Sequence, residues 1–220
     1  MGDIDIQKLY QLQDNVLEKI YSLDHDFYLT GGTCLNRFYH NKRVSYDLDL
    51  FNHNNHLYST QLREIQASLE QSFTLNISVK TKDFTRLVVN QLLQIDLVNE
   101  RLPRMDSIII TDSGIKIDSI ENILSNKLTA VLGRDEPKDI FDIFLISKYY
   151  SFSWKDILKS AREKLIFNLE DLALRMKSFP QNLLRLIKLT DNNFLEDFSE
   201  KYPVIIDEII HITEHHHWKQ

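Results

Sequence analysis

Two aspartates one residue apart, Asp47-Leu48-Asp49, and a glycine pair ahead of a threonine, Gly31-Gly32-Thr33, are the parts of this chain best suited to chemistry. Carboxylates at i and i+2 of a strand point the same way, with Cα atoms about 6 to 7 Å apart, so together they can grip one divalent cation. A third carboxylate from a neighbouring strand would complete an oxygen-rich site of the kind that suits Mg²⁺ or Mn²⁺. Asp96 is the candidate. With two ions, such a site can activate an attacking hydroxyl and neutralise charge on a leaving pyrophosphate. The glycine turn, opening a helix, lets backbone N–H groups approach phosphate closely. Each pattern alone is common, since glycine pairs serve many turns and paired charges usually face solvent. Their succession within 19 residues, each on a suitable element, is the specific signal.

Farther on, Lys127, Ala130, Val131 and Arg134 share one helical stripe, so Lys127 and Arg134 can face one ligand. On the next helix, Lys138 and Asp139 stand four and three residues before Asp142, which can sit between them. Two readings stand: a solvated charge face with intrahelical pairs, or a lysine that meets a triphosphate and is held by Asp142.

These groups need elements to place them. Ile6, Leu9, Val16, Leu17 and Ile20 predict an amphipathic helix over 5–22. Phe27-Tyr28-Leu29 reads as a strand, broken by the glycines, with Thr33 capping a helix through about His40. After the loop Asn41-Lys42-Arg43, residues 46–51 alternate as a strand with Tyr46, Leu48 and Leu50 on one face and the aspartates on the other. A helix with Leu62, Ile65 and Leu69 follows, then strands over 75–79 and 87–89 and a tight turn at Asn90-Gln91 into a strand over 92–98 carrying Asp96. Asp112-Ser113-Gly114 marks a hairpin between 108–110 and 115–117. Asp118 and Glu121 suggest a capping box for a helix ending near Gly133, and Pro137 opens another to about Tyr149. From Trp154 the pattern is helical, with Pro180 and Pro203 as breaks, so the texture changes near residue 150. The expected domains are a core over 1–150, N-terminal helix included, and a helical part over 151–220.

The 220 residues are 43% hydrophobic, enough for a real core, with no run of 18 apolar residues, and the start Met1-Gly2-Asp3-Ile4 lacks the regions of a signal peptide. A cytoplasmic protein that makes no use of a membrane is expected. The single Cys34 reads as a small buried apolar residue. A net charge of -6 excludes a protein devoted to coating nucleic acid. Residues 151–190 nonetheless hold eight Lys/Arg against four Asp/Glu, whereas 191–220 hold two against seven, so a local polyanion surface stays open.

The run Tyr28-Leu29-Thr30-Gly31-Gly32-Thr33-Cys34-Leu35, then Arg43-Val44-Ser45-Tyr46-Asp47-Leu48-Asp49-Leu50-Phe51, resembles the AbiEii/AbiGii-type nucleotidyltransferase toxins, MenT-like members included. Lys127 to Arg134 followed by Pro137 to Asp142 resembles that family's downstream motifs in order and spacing. The resemblance implies an α+β fold, a DNA polymerase β-like nucleotidyltransferase core with a mixed sheet flanked by helices and a helical C-terminal part. It implies transfer of a nucleotide from an NTP to an acceptor, notably a tRNA 3′ end, and a cognate antitoxin. By the same resemblance Gly32 and Thr33, beside Gly31, contact phosphates; Asp47 and Asp49 bind metal, with Asp96 as third carboxylate. Lys127, with Arg134 on its stripe, holds the triphosphate, Asp142 supports catalysis, and Arg43 and Ser45 shape the approach to the aspartates. Rival readings are a small-molecule (antibiotic) nucleotidyltransferase and a non-catalytic NTP-binding or partner-binding protein of the same fold.

Other features read more plainly. His215-His216-His217, with His211 a turn earlier, reads as a polar helix end before it reads as a zinc site. His53 and His56 lie in a polar loop with Asn52, Asn54 and Asn55. Trp154, Phe167, Phe179 and Phe194 are expected in the core. Lys155, Lys159, Arg162, Lys164, Arg175, Lys177, Arg185 and Lys188 form a solvated face, or else an RNA-backbone surface.

Overall fold

The computed structural model describes residues 5–53 and 55–218; the Met1-Gly2-Asp3-Ile4 start and Asn54 lie outside them. Contacts group the chain into two compact units, one of residues 1–34, 45–102 and 107–118, the other of 35–44, 103–106 and 119–220. The expected division near 150 falls elsewhere than this one, because α4 (Ile120–Gly133) packs against both α5 (Pro137–Tyr149) and α6 (Trp154–Lys164).

The first unit is built on a mixed seven-stranded sheet. Its strands are β1 (Tyr28–Thr30), β2 (Asp47–His53), β3 (Leu75–Lys80), β4 (Phe84–Val89), β5 (Leu93–Glu100), β6 (Ile109–Ile110) and β7 (Lys116–Ile117), in the order β3-β4-β5-β2-β1-β7-β6. β2 runs parallel to β5 and β1 parallel to β7; the other neighbours are antiparallel. Period-two patterning sets the faces: Leu48 and Leu50 of β2 and Leu93, Ile95 and Leu97 of β5 are buried, while Asp47 and Asp49 are half-buried. Tyr46 lies just before the strand and is exposed, so it does not extend that apolar face. α1 (Ile6–Tyr21) and α3 (Tyr58–Glu70) contribute Leu9, Val16, Leu17, Ile20, Leu62, Ile65 and Leu69 to the core. Asp5 caps α1 through the N–H groups of Gln7 and Lys8.

Three local expectations change. Thr33 caps nothing: the helical turn α2 (Gly31–Cys34) begins at the end of β1 and widens into a π-helical turn, Leu35–Tyr39. The cap of α4 is Ser119, whose hydroxyl accepts from the Asn122 N–H, while Asp118 is taken by a stronger partner, the Thr30 hydroxyl. Pro203 lies within α8 (Phe198–His211) and does not break it. A proline in the second turn forfeits one backbone bond, outweighed here by burial of Tyr202, Ile205, Ile206 and Ile209.

The second unit holds α4 to α8, with α7 (Leu169–Lys177), a 3₁₀ turn (Gln181–Leu186) after Pro180, and a small pair β8 (Phe152–Ser153) and β9 (Glu214–His215). Residues 42–44 run against 188–190, bonded from Val44 N–H to Lys188 O at 2.9 Å and from Thr190 N–H to Lys42 O at 3.1 Å. Among the described residues no helix is long and apolar enough to cross a membrane.

Candidate active site

In the sheet unit, strand register creates one row of side chains. Thr30 of β1 stands opposite Asp49 of β2, Asp49 opposite Asp96 of β5, and Asp96 opposite Arg86 of β4. Register partners project from the same face, so Asp47, Asp49 and Asp96 share a side.

The glycine turn is fastened to this row. Gly31 has φ +69°, a left-handed conformation that L side chains disfavour. A β-carbon there would overlap Oδ2 of Asp49 and lie 3.2 Å from its Cγ. Only glycine fits, on both counts. The Thr33 hydroxyl donates to the Asp47 carbonyl, and Thr30 donates to Asp118 Oδ2 at 2.6 Å. Behind the turn, Cys34 is fully buried, and burial, with Asp118 and Asp49 adding, pushes its thiol well up, so it stays neutral as expected of a packed residue. Gly32 is buried in the turn; Ser45 is also buried, and its carbonyl accepts from Gln13 Nε2 at 3.0 Å.

Asp96 is in register with the aspartate pair, but its carboxylate is already engaged. Arg86 donates to it through Nε at 2.8 Å and Nη2 at 2.7 Å, a bidentate fork. The Arg86 guanidinium is raised above its ordinary pKa, first by that hydrogen bond and further by Asp96, Asp47 and Asp49 as charges. Among the described residues no three His, Cys, Asp or Glu side chains form a metal-binding group. The donor chemistry still fits a hard cation at two positions, because Asp47 and Asp49 present carboxylates from one face. The residue that sequence reasoning missed is Arg86, and the strand pairing that reveals it depends on the loop between β4 and β5.

The second unit holds a buried ionic cluster. Lys127 Nζ donates to Asp139 Oδ1 at 2.8 Å and lies 2.7 Å from Asp142 Oδ2. Arg43 forks onto Asp142 through Nε at 2.8 Å and Nη2 at 2.7 Å, and Arg134 donates to Asp139 through Nε at 2.7 Å. Both carboxylates are fully buried. Burial opposes ionisation of Asp142, but Arg43 and then Lys127 outweigh it and hold the carboxyl down to about 2. Asp139 is lowered likewise, burial being outweighed by Lys127 and Arg134. Burial also works against the Lys127 charge, yet Asp142 and Asp139 raise its pKa. The solvated-face reading therefore gives way to a packed network of three cations and two carboxylates. Asp142 holds Arg43 and Lys127 rather than lying between its neighbours on α5, and Asp139 is an equal member. Only the Arg134 side chain, 51% exposed, opens broadly to solvent.

The histidines of the C-terminus diverge. His215 is buried, with Nδ1 2.6 Å from Glu208 Oε2 and Nε2 2.6 Å from the Ser147 carbonyl, while His217 pairs with Ser151 and His211 with Asp207. The polar-end expectation is thus corrected for His215, which is a core residue. Trp154, Phe179 and Phe194 are buried as expected, and Phe167 is half-buried beside the Arg162 guanidinium. Of the basic residues, Lys164 is spent on Asn122, Ser125 and Asn126, and Arg175 on Asp135 and the Val131 carbonyl.

A family model described as nucleotidyl transferase AbiEii toxin, type IV toxin–antitoxin system, matches residues 16–220. The chain belongs to that family and is a nucleotidyltransferase. It is 26% identical over 163 residues to an uncharacterized protein of Aquifex aeolicus, covering 72% of this chain and 77% of the other. In fold it is similar to a candidate nucleotidyltransferase of Helicobacter pylori, with TM-score 0.64 and 20% identity over 94% of this chain and 95% of that one. It is also similar to MenT4, a nucleotidyltransferase toxin of Mycobacterium tuberculosis, with TM-score 0.53 and 14% identity over 71% and 63% of the two chains.

Proposed function

We propose that the enzyme is the toxin of a toxin–antitoxin pair and transfers NMP from an NTP to the 3′-hydroxyl of an RNA, a tRNA end in particular, in the cytoplasm. The observation that supports this most is the close approach of Gly31 to the Asp49 carboxylate, which brings a glycine turn suited to phosphate against a carboxylate pair suited to a hard cation.

In this reading the N–H groups of the Gly31-Gly32-Thr33 turn receive the phosphates, and Asp47 and Asp49 hold Mg²⁺ or Mn²⁺. When bound, the ion supplies charge neutralisation at the phosphates and lowers the pKa of a coordinated hydroxyl. The acceptor oxygen forms a bond to the α-phosphorus, the α–β bridging P–O bond breaks, and pyrophosphate leaves. The hydroxyl proton passes to a carboxylate of the site. In the helical unit, Asp142 acts as a positioning residue that holds Arg43 and Lys127, and Arg134, whose side chain is 51% exposed, is the cation of that cluster open to an anion. A cognate antitoxin counteracts the enzyme.

The test is incubation with Mg²⁺ and each labelled NTP in turn, offering total RNA, protein and small-molecule acceptors in parallel. Label in RNA that disappears in Asp49→Asn supports the reading. Label confined to a small molecule replaces the acceptor, and nucleotide binding without transfer to any acceptor sinks the proposal. Growth arrest on expression, relieved by a neighbouring gene, tests the biological role.

A further inference from the structure

The Arg86–Asp96 pair joins β4 to β5 across the face that carries the aspartate pair. Arg86 is clamped twice: its Nε–Nη2 edge forks onto Asp96, and its Cζ lies 5.5 Å from the Phe84 ring centroid. The fork leaves the Nη1 edge, for which the described residues show no partner, and the side chain is 37% exposed. A guanidinium held on one edge and open on the other is preorganised for an anion, because the entropy of fixing the side chain has already been lost.

Its place in the row says which anion. The order across the sheet is Thr30 on β1, Asp49 on β2, Asp96 on β5 and Arg86 on β4, and Gly31 follows Thr30. The glycine turn therefore flanks Asp49 on one side and Arg86 on the other, two strand spacings or about 10 Å away. In-line displacement puts leaving group and nucleophile on opposite sides of the reacting phosphorus. With the NTP phosphates on the glycine turn, the acceptor enters from the side of Arg86.

We propose that Arg86 receives a phosphodiester of the acceptor strand, that Asp96 is the positioning residue that aims it, and that the acceptor is accordingly a nucleic-acid end. This rests on the nucleotidyl-transfer reading above, and it moves Asp96 from metal ligand to anchor.

The test is fluorescence anisotropy of a labelled single-stranded RNA with a free 3′-hydroxyl, in Mg²⁺ without NTP, across a range of salt. Arg86→Ala is expected to weaken binding severalfold and to reduce the slope of log affinity against log salt by about 0.7, the loss of one phosphate contact. Arg86→Lys should recover the slope but only part of the affinity, since an ammonium cannot fork. In turnover, Arg86→Ala and Asp96→Asn should each raise KM for RNA and leave KM for NTP unchanged, with the double variant little worse than either. Unchanged affinity and slope in Arg86→Ala, or no RNA binding by the wild type, would overturn the assignment. So would an Asp96→Asn variant with normal KM for RNA that needs more Mg²⁺. If the wild type labels RNA and Arg86→Ala is normal, Arg86 alone is misassigned. If RNA binding depends on Arg86 but only small molecules are labelled, the proposed acceptor fails and the phosphodiester contact stands.

Discussion

Gly31 lies so close to the carboxylate of Asp49 that a β-carbon on the glycine would overlap Oδ2. The turn that suits phosphate and the strand that suits metal are thus in van der Waals contact through the absence of one methyl group.

Adding that methyl tests the contact. Gly31→Ala carries a left-handed φ that costs about 1 kcal/mol and pushes Asp49 aside, and a displacement near 1 Å at a reacting centre costs about 100-fold in rate. Gly114→Ala is the control: its φ is +80° but nothing lies within 4 Å of the added carbon. Melting should fall in both, and further in Gly31→Ala because the overlap with Asp49 adds to the cost of its φ, while only Gly31→Ala loses nucleotide transfer. Equal activity in the two variants would show that the contact does not matter.

Asp142 makes stability depend on acid. Its folded pKa, about 2, lies below the unfolded 3.8. The unfolded chain therefore takes up the proton first, and the contribution, of order 2 kcal/mol, is present above about pH 4 and lost as pH falls towards 2. Asp142→Asn should flatten this part of a denaturation-versus-pH curve. It should also cost about 3 to 5 kcal/mol at neutral pH, because Arg43 and Lys127 lose a buried counter-charge. A variant with wild-type acid sensitivity would show that the cluster does not couple to folding.

The loop between β4 and β5 stores strain that can be removed. Asn90 and Gln91 have φ of 50° and 57°, and asparagine tolerates this region better than glutamine. Gln91→Gly should raise stability by up to about 1 kcal/mol in urea denaturation with transfer activity intact. A drop in the midpoint would mean that the Gln91 side chain stabilises the loop.

His215 fastens the C-terminal segment. Glu208, lowered in pKa because bonds from His215 and Trp154 outweigh its burial, accepts from one side of the ring region and Ser147 O faces the other. His215→Ala should lower stability by about 3 kcal/mol through two lost bonds and a buried void. Hydrogen exchange across 212–217 should accelerate, and unchanged exchange there would assign the clasp to β8–β9 pairing alone.

Much of this arrangement was legible because it is local. Alternation identified β2 and its paired aspartates, the 3.6-residue period identified α1 and α3, and Pro137 marked the start of α5. What escaped turned on single residues of register. A two-residue turn at Asn90-Gln91 would set Val89 opposite Leu92, whereas the structure pairs Val89 with Leu93 and leaves Leu92 in the loop. That one step is what brings Arg86 opposite Asp96, since a slip of one residue changes every cross-strand partner. The ionic cluster was illegible for another reason. Arg43 and Asp142 are 99 residues apart, so no helical spacing could announce that Asp142 is buried between a distant arginine and Lys127.

The sheet has a consequence for the timing of activity during synthesis. By residue 49 the nascent chain already contains both the glycine turn and the aspartate pair, yet β2 takes one of its two neighbours from residues 93–100, and β1 is closed by β7 and Asp118. Contacts of such long sequence separation form late. A ribosome-bound fragment carrying every residue of the two motifs therefore lacks the strands that set them in place, and translation itself delays nucleotide transfer until residue 118 has emerged.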